Sequence, residues 1–445
     1  MEATIQASAS STAKKRIPVT RRERWAWYAY DFGNSAYAAV VLMAVYSSYF
    51  KNVVVGGSEG SRLWGLSISI AMLVVSLTTP ILGVVADFSR SKKRFLNVYT
   101  GIVIAFTAAL YFVGAGNIFF GMGFFILAEI GYRSAQVFYN ALLPEIAEKE
   151  EMGTVSGNGW AIGSLGGIVA LVLVLALIMF VKWEGVISFS FLITALFFLL
   201  ASLPLFLFVR ERSEVRPLPA GETYFTVPFK QIARTFMEAR RHREFLKFLI
   251  AFTIYNIGII VTFDFAAIIG SVLFGFQQQG LILLMMIVSV TSVGGAYLFG
   301  KFADQLGGKK SLIIALLAMV AIVIGLVGVN SRVMFYVIAA FAGFALTGVQ
   351  SVSRMMVGML APHDQSAEFY GLFAVASSIS AFIGPAAFGA MAHWGANIFL
   401  NRGLEAIPAE QAGMRFAITS IILFLLIGLG LLLFVKNRAG KNAAE

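Results

Sequence analysis

Long apolar runs separated by short polar breaks dominate the pattern of hydrophobic and polar positions. A bilayer core about 30 Å thick needs about 20 residues of apolar helix. Runs of that length fall at 25–50, 63–86, 95–115, 117–143, 154–181 and 186–209, and again at 245–272, 279–303, 311–329, 333–360, 367–392 and 413–435. Strands of a membrane barrel would alternate with period two over about ten residues, whereas these runs are continuous and longer. The pattern predicts an all-α membrane protein of twelve transmembrane helices. The longest polar stretch, 210–243, divides six runs from six. The organisation expected is a tail 1–24, a six-helix bundle 25–209, a linker 210–243, a second six-helix bundle 244–436 and a tail 437–445. Within the linker, Phe229, Ile232 and Phe236 lie at helical spacing among basic residues. They predict an amphipathic helix, either lying on the membrane surface or solvated.

Composition sharpens this reading. Hydrophobic residues make up 59% of the 445 and charged residues only 13%, against about 25% charged in a soluble domain. The formal charge of +11 raises the question of nucleic acid, and the placement of the basic residues answers it. Of the 34 Lys and Arg, six (Lys51, Arg62, Lys182, Arg332, Arg402 and Arg415) fall in loops on one side and two (Arg133 and Arg354) within spans. The rest lie on the other side, which the positive-inside bias makes cytoplasmic, with both termini. A multi-pass protein of the cell (inner) membrane is expected, without nucleic acid as a partner. Residues 1–20 carry Lys14, Lys15 and Arg16 but no short apolar core, so the first span is expected to direct insertion itself. There are no cysteines, and His242, His363 and His393 are scattered. No metal or cofactor site and no enzymatic triad is expected. The lack of a phosphate-binding loop points to a gradient rather than ATP as driving force.

The two halves repeat. Gly83-Val-Val-Ala-Asp87 followed by Lys92-Lys93-Arg94 answers to Gly300-Lys-Phe-Ala-Asp304 followed by Lys309-Lys310, at an offset of 217. Tyr30-Asp31-Phe32-Gly33 answers to Tyr255-Asn256-Ile257-Gly258 at 225, and Gly131-Tyr-Arg-Ser134 to Gly348-Val-Gln-Ser351 at 217. Three ordered matches at nearly constant offset imply two related bundles, and an even number of spans per half makes them parallel repeats. In the Gly-x-x-x-Asp segments, Gly83 and Gly300 permit close helix approach. Asp87 and Asp304 are expected to latch one face of a rocking carrier by capping or ion pairing; the basic residues after them also set topology.

Span 4 carries the densest chemistry. Glu129, Arg133, Gln136 and Asn140 follow one another at four, three and four residues, which places them within a stripe of about 60° on one helix face. A charge near the bilayer centre costs at least about 3 kcal/mol unless it is paired or hydrated. The stripe therefore predicts either a substrate or proton site lining a cavity or a buried structural pair holding span 4 to span 1. Span 1 offers a second stripe containing Asp31 and Asn34, with Asp31 at a depth where it could compete with Glu129 for Arg133. In the second half Asn256, Asp264, Gln350 and Arg354 are polar candidates. Arg354 is close enough to the cytoplasm to snorkel, and Asp264 is read as lying near the outer part of span 7, so Asn256 and Gln350 are the expected solute contacts. Gly159, Gly163 and Gly167 in span 5, with Gly384-Pro385 and Gly389 in span 11, predict tight helix crossings.

The segment Trp25-Ala-Trp-Tyr-Ala-Tyr-Asp31-Phe-Gly-Asn34-Ser35-Ala-Tyr37 resembles the opening of one branch of the major facilitator superfamily. That branch comprises bacterial "unknown major facilitator" proteins and fungal autophagy-related vacuolar amino-acid effluxers. Val137-Phe-Tyr-Asn140-Ala-Leu-Leu-Pro144-Glu145, Gly348-Val-Gln350-Ser-Val-Ser353-Arg354, Ala367-Glu368-Phe-Tyr-Gly371 and Gly384-Pro385 are similar to the same branch. Two positions depart from it: Ile257 stands where relatives typically have Asp, and Ser378 where they often have Lys. An acid and a base are thus replaced together. The resemblance implies the major facilitator fold and transport of an amino acid or related small solute, with protons or another ion coupled. A monomer in contact with membrane lipids is expected. The readings that compete with a carrier are a non-transporting receptor or scaffold of the same fold and a carrier of lipid-like amphiphiles.

Overall fold

A computed structural model describes residues 19–88, 91–148, 151–212, 222–224, 226–362 and 366–436. Lys14, Lys15, Arg16, Arg90, His363 and the tail from 437 lie outside the described residues. Among those described, every regular element is a helix, and twelve are long and apolar enough to cross a bilayer. Spans 1 to 6 are Arg21–Val55, Gly57–Ala86, Lys92–Phe112, Ile118–Ile146, Thr154–Phe180 and Val186–Phe208. Spans 7 to 12 are Arg243–Asp264, Gln278–Leu306, Gly308–Gly328, Arg332–Leu360, Glu368–Asn401 and Ala406–Leu433. The first six pack into one bundle and the last six into another, with span 2 against span 11 and span 5 against span 8 joining them. Six crossings per bundle put the start of span 1, the end of span 6, the start of span 7 and the end of span 12 on one face, the linker face.

Several spans are tied together by polar groups that a lipid solvent would leave unsatisfied. Thr20 caps span 1, its hydroxyl accepting the Glu23 amide while the Glu23 carboxylate accepts the Thr20 amide. Above that cap, Trp27 stacks on Tyr139 of span 4 at 4.4 Å and donates its Nε1–H to the Tyr139 carbonyl. The Tyr30 hydroxyl meets Thr100 of span 3 at 2.8 Å, whereas its repeat counterpart Tyr255 meets Ser353 of span 10 at 2.6 Å. The span 5 glycines press on span 1 as the spacing predicts: a Cβ on Gly159 would meet Trp27, and one on Gly163 would meet Asp31. The closest approach belongs to Gly166, where a Cβ would stand 2.0 Å from the Phe32 carbonyl oxygen. Gly384 fits against Ile257 and Val261 in the corresponding crossing of the second half. Ile257, where relatives carry an acid, is thus part of an apolar helix contact.

Three boundaries differ from the sequence expectation. Span 1 begins at Arg21 and reaches Val55 through two widened stretches, Ala38–Ala44 and Phe50–Val55, in which amides bond five residues back (Val45 to Val40, Gly56 to Lys51). Span 11 continues to Asn401 and span 12 starts at Ala406, so the region 393–412 is a helical pair with a four-residue turn and not a loop. Its polar residues, among them His393, Asn397 and Glu410, interrupt the apolar run without interrupting the helix. Span 7 breaks at Phe265 and resumes as Ala266–Phe274, ending at Gly275 in the left-handed region with φ of 61°. In the linker, Thr226–Ala239 is the expected amphipathic helix. It packs against spans 2 and 11, burying Ala239 and leaving Phe229 and Phe236 exposed.

Candidate functional site

Span 4 delivers its polar stripe as a gradient of exposure. Glu129 is fully buried, Arg133 and Gln136 are half-buried, and Asn140 is exposed. One carboxylate oxygen of Glu129 accepts from Arg133 Nε at 2.7 Å and the other from the Tyr37 hydroxyl at 3.1 Å. A buried carboxylate in lipid thereby has both oxygens satisfied by charged or phenolic donors. The Tyr37 and Tyr132 rings lie 4.9 Å apart, and the Arg133 guanidinium rests 5.3 Å over the Tyr132 ring. The side chain of Arg133 keeps 37% exposure. Its remaining N–H donors are thus presented and not consumed by the fold.

The structure adds a residue that the sequence reading set aside. Asp264 stands at the break in span 7, buried at 6% exposure and within electrostatic reach of both Arg133 and Glu129. It lies ten residues below the end of the resumed helix at Phe274, as Glu129 lies eleven below the start of span 4 at Ile118. Asp264 is the last residue of span 7, in its outer part as the sequence predicts, and at 1.5 Å per residue it and Glu129 are each about 15 Å from the outer helix ends. The break frees the Asp264 carbonyl to accept from Trp64 Nε1 of span 2 at 3.3 Å. Asp264 of one bundle and the Glu129–Arg133 pair of the other act on each other electrostatically without direct contact.

Asp31 and Arg133 are not brought together. Tyr37 is the span 1 residue that reaches Glu129. Asp31 is six residues earlier, about 240° around the helix from Tyr37, and its carboxylate faces Gly163 of span 5 and its own neighbours Ser35 and Asn34. The expected competition between Asp31 and Glu129 has no geometric basis. Asn34 and Asn256 are both buried, and Asn34 Oδ1 and Asn256 Nδ2 have no hydrogen-bond partner among the described residues. Gln350 is exposed on span 10, as is Arg354. Of the two latch segments, Gly83 and Gly300 meet no atom within 4 Å where a Cβ would stand. Asp304 is exposed and closes no ion pair among the described residues. The Asp87 side chain lies outside the described residues.

Polar links between the bundles cluster on the side away from the linker. Lys51 of span 1 pairs with Glu410 of span 12 at 2.7 Å, both largely buried. Glu410 Oε1 has no aligned donor, so the contact is an ion pair rather than a directed hydrogen bond. Gln278 of span 8 accepts from Ser48 and donates to the Ala44 carbonyl, each at 2.9 Å. His393 of span 11 sits 3.0 Å from Ser58 and 3.5 Å from Glu59. Deeper in, the Ala386 amide donates to Ser69 at 3.0 Å, and a Cβ on Gly65 would stand 2.0 Å from the Pro385 carbonyl oxygen. The Ala44 carbonyl that accepts from Gln278 ends the widened stretch Ala38–Ala44. The face opposite the linker is closed, and span 4 becomes more exposed toward the linker.

The model of the family described as "Vacuole effluxer Atg22 like" matches residues 63–445. A relative described as an uncharacterized MFS-type transporter, YxiO of Bacillus subtilis, is 24% identical over 96% of this chain and 97% of its own. Autophagy-related protein 22 of Eremothecium gossypii is 20% identical over 96% and 94%. That of Yarrowia lipolytica is 23% identical over 65% of this chain and 51% of its own. Among solved structures, a mutant of the nucleoside transporter NupG superposes with a TM-score of 0.73 at 14% identity, covering 92% of this chain and 99% of that one. An inward-facing, unoccupied bacterial homolog of the human lysosomal transporter Spinster gives 0.71 at 16% identity, covering 93% and 95%. The two structures share the major facilitator fold with this chain.

Proposed function

The chain belongs to the Atg22-like family of major facilitator transporters, and from that premise we propose that it moves an amino acid or a related small carboxylate-bearing solute by alternating access, coupled to protons. The observation that carries this reading is the half-exposed guanidinium of Arg133, fixed at 2.7 Å by a fully buried Glu129. Such a guanidinium is fixed in direction yet has donors to spare, which suits bidentate capture of a carboxylate. In this reading Arg133 serves two acids from different bundles, Glu129, with which it is paired, and Asp264, whose charge it senses. It neutralises one of them, leaving the other to a proton or to the cationic group of the solute. Asn34, Gln136, Asn140, Asn256 and Gln350 orient the solute, and Asp31 serves as a further proton-accepting group beside span 5. Gly83, Asp87, Gly300 and Asp304 close the linker face when the bundles rock. The bias of Lys and Arg supports a cytoplasmic linker face in a cell whose inner membrane holds the protein.

The test is flux. Protein reconstituted in liposomes is offered mixed amino acids under an imposed pH gradient. Uptake or efflux that collapses with a protonophore, and that Glu129→Gln reduces at least tenfold, is the expected result. Specific solute binding with no flux in any gradient would make the protein a receptor with a carrier's fold.

A further inference from the structure

At the linker face, spans 3 and 6 diverge around a cleft of about 670 Å³ that has no place in the transport site. Its walls are Lys93, Arg94 and Asn97 from the first turns of span 3, and Phe206, Arg210 and Glu211 from the end of span 6 and the residues after it. Three cations thus meet one carboxylate. That carboxylate is already engaged: Glu211 accepts from the Lys93 amide. Lys93 Nζ donates to the Val209 carbonyl at 2.8 Å. Arg94 and Arg210 are both exposed, and their guanidinium groups form no ion pair with any described residue. Two further acids at this face are paired with other cations, Glu145 with Lys92 at 2.7 Å and Glu23 with Arg212 at 2.8 Å.

Depth and lining identify the ligand. The cleft sits where both helices leave the apolar layer, because Lys92 begins span 3 and Phe208 ends span 6. Just deeper, Val98, Leu203 and Leu207 are exposed on the outer surface of the same two helices, at 58%, 41% and 69%. Two free guanidinium forks at headgroup depth above an apolar wall match a phosphate ester that carries acyl chains. A soluble anion would use the forks and leave the wall unused. We infer that the cleft between spans 3 and 6 seats the headgroup of an anionic phospholipid of the linker-side leaflet, held by Arg94 and Arg210. The basic residues after the first Gly-x-x-x-Asp segment then do more than fix topology: they bind the leaflet they face.

The test uses the full-length protein in nanodiscs of phosphatidylcholine with graded phosphatidylglycerol. Lipid retained after detergent extraction is counted by native mass spectrometry, alongside the thermal midpoint. Wild type is expected to retain phosphatidylglycerol in preference to phosphatidylcholine and to melt higher with it. Each juxtamembrane cation contributes about fivefold to such binding, so the R94Q/R210Q double variant is expected to retain about 25-fold less. R94K/R210K, which keeps the charge but loses the fork, should retain an amount between wild type and R94Q/R210Q, and R402Q in the turn on the far face should change nothing. Equal retention of the two lipids by wild type, or undiminished retention by correctly folded R94Q/R210Q, would overturn the inference. Millimolar inorganic phosphate is expected neither to displace the lipid nor to raise the midpoint. If phosphate alone gave the same protection, the cleft would be a soluble-anion site and the lipid assignment would fall.

Discussion

Arg133→Met is expected to be the most damaging single change in the protein, costing about 3–5 kcal/mol of stability and abolishing transport. The reason is asymmetry in the pair. Glu129 has no exposure at all, whereas Arg133 has 37%. Removing the arginine strands a carboxylate in a dry interior with only the Tyr37 hydroxyl for company. Removing the acid by Glu129→Gln leaves a guanidinium that water reaches, and an amide that still accepts from Tyr37. The smaller change should therefore cost less than half as much stability while losing transport as completely. The double variant, which buries no unpaired charge, should recover most of the thermal midpoint and none of the flux. Thermal unfolding in detergent and liposome flux, measured on all three variants, separate the two consequences. Equal destabilisation by both single variants would show that Arg133 is as dry as Glu129 and contradict the exposed presentation assigned to it.

Lys51→Met should shift the balance between conformations rather than break the fold. The Lys51–Glu410 pair joins the bundles only while the face opposite the linker is closed. Breaking a largely buried pair costs about 3 kcal/mol, and the cost falls on the closed form alone, because the open form hydrates both groups. That is a shift on the order of a hundredfold in the ratio of the two forms. The chain has no cysteine, so a single Ser61→Cys gives one reactive thiol at a site fully buried under Gly389. Labelling of that thiol by a membrane-impermeant maleimide from the face opposite the linker is expected to accelerate on the order of a hundredfold in the Lys51→Met background. An unchanged rate would show that the seal rests on the helix contacts at Gly65 and Gly389 and not on the pair.

Much of this architecture was legible in the chain because lipid is an unforgiving solvent: it demands continuous apolar helix, and the twelve runs announce it. The span 4 stripe was legible for a related reason, since residues on one helix face recur with a fixed period. What the sequence did not reveal is what no single helix encodes. Asp264 and the Glu129–Arg133 pair belong to different bundles, and nothing in the spacing along one span registers it against another. The break at Phe265 that frees the Asp264 carbonyl carries no Pro or Gly to flag it. Asp31 misled for the same cause: its depth on span 1 suited Arg133, but its direction depends on which face of span 1 meets span 5. The contact with Gly163 decides that. The ends of spans 11 and 12 differ from the hydropathy expectation because His393 and Glu410 are polar for the sake of the inter-bundle seal, with Asn397 bonded to His393. A hydropathy reading takes such residues for a loop.

The central claim is that the span 4 stripe faces a water-filled space between the bundles, reached from the linker face and filled by the transported solute. A single Gln136→Cys in this cysteine-free chain tests it most directly, by labelling with an impermeant maleimide applied to one face of oriented vesicles at a time. Fast labelling from the linker face, slow labelling from the other, and protection by the transported solute are the expected results. Labelling only by a lipid-soluble reagent, unaffected by solute, would place the stripe against acyl chains and contradict the claim.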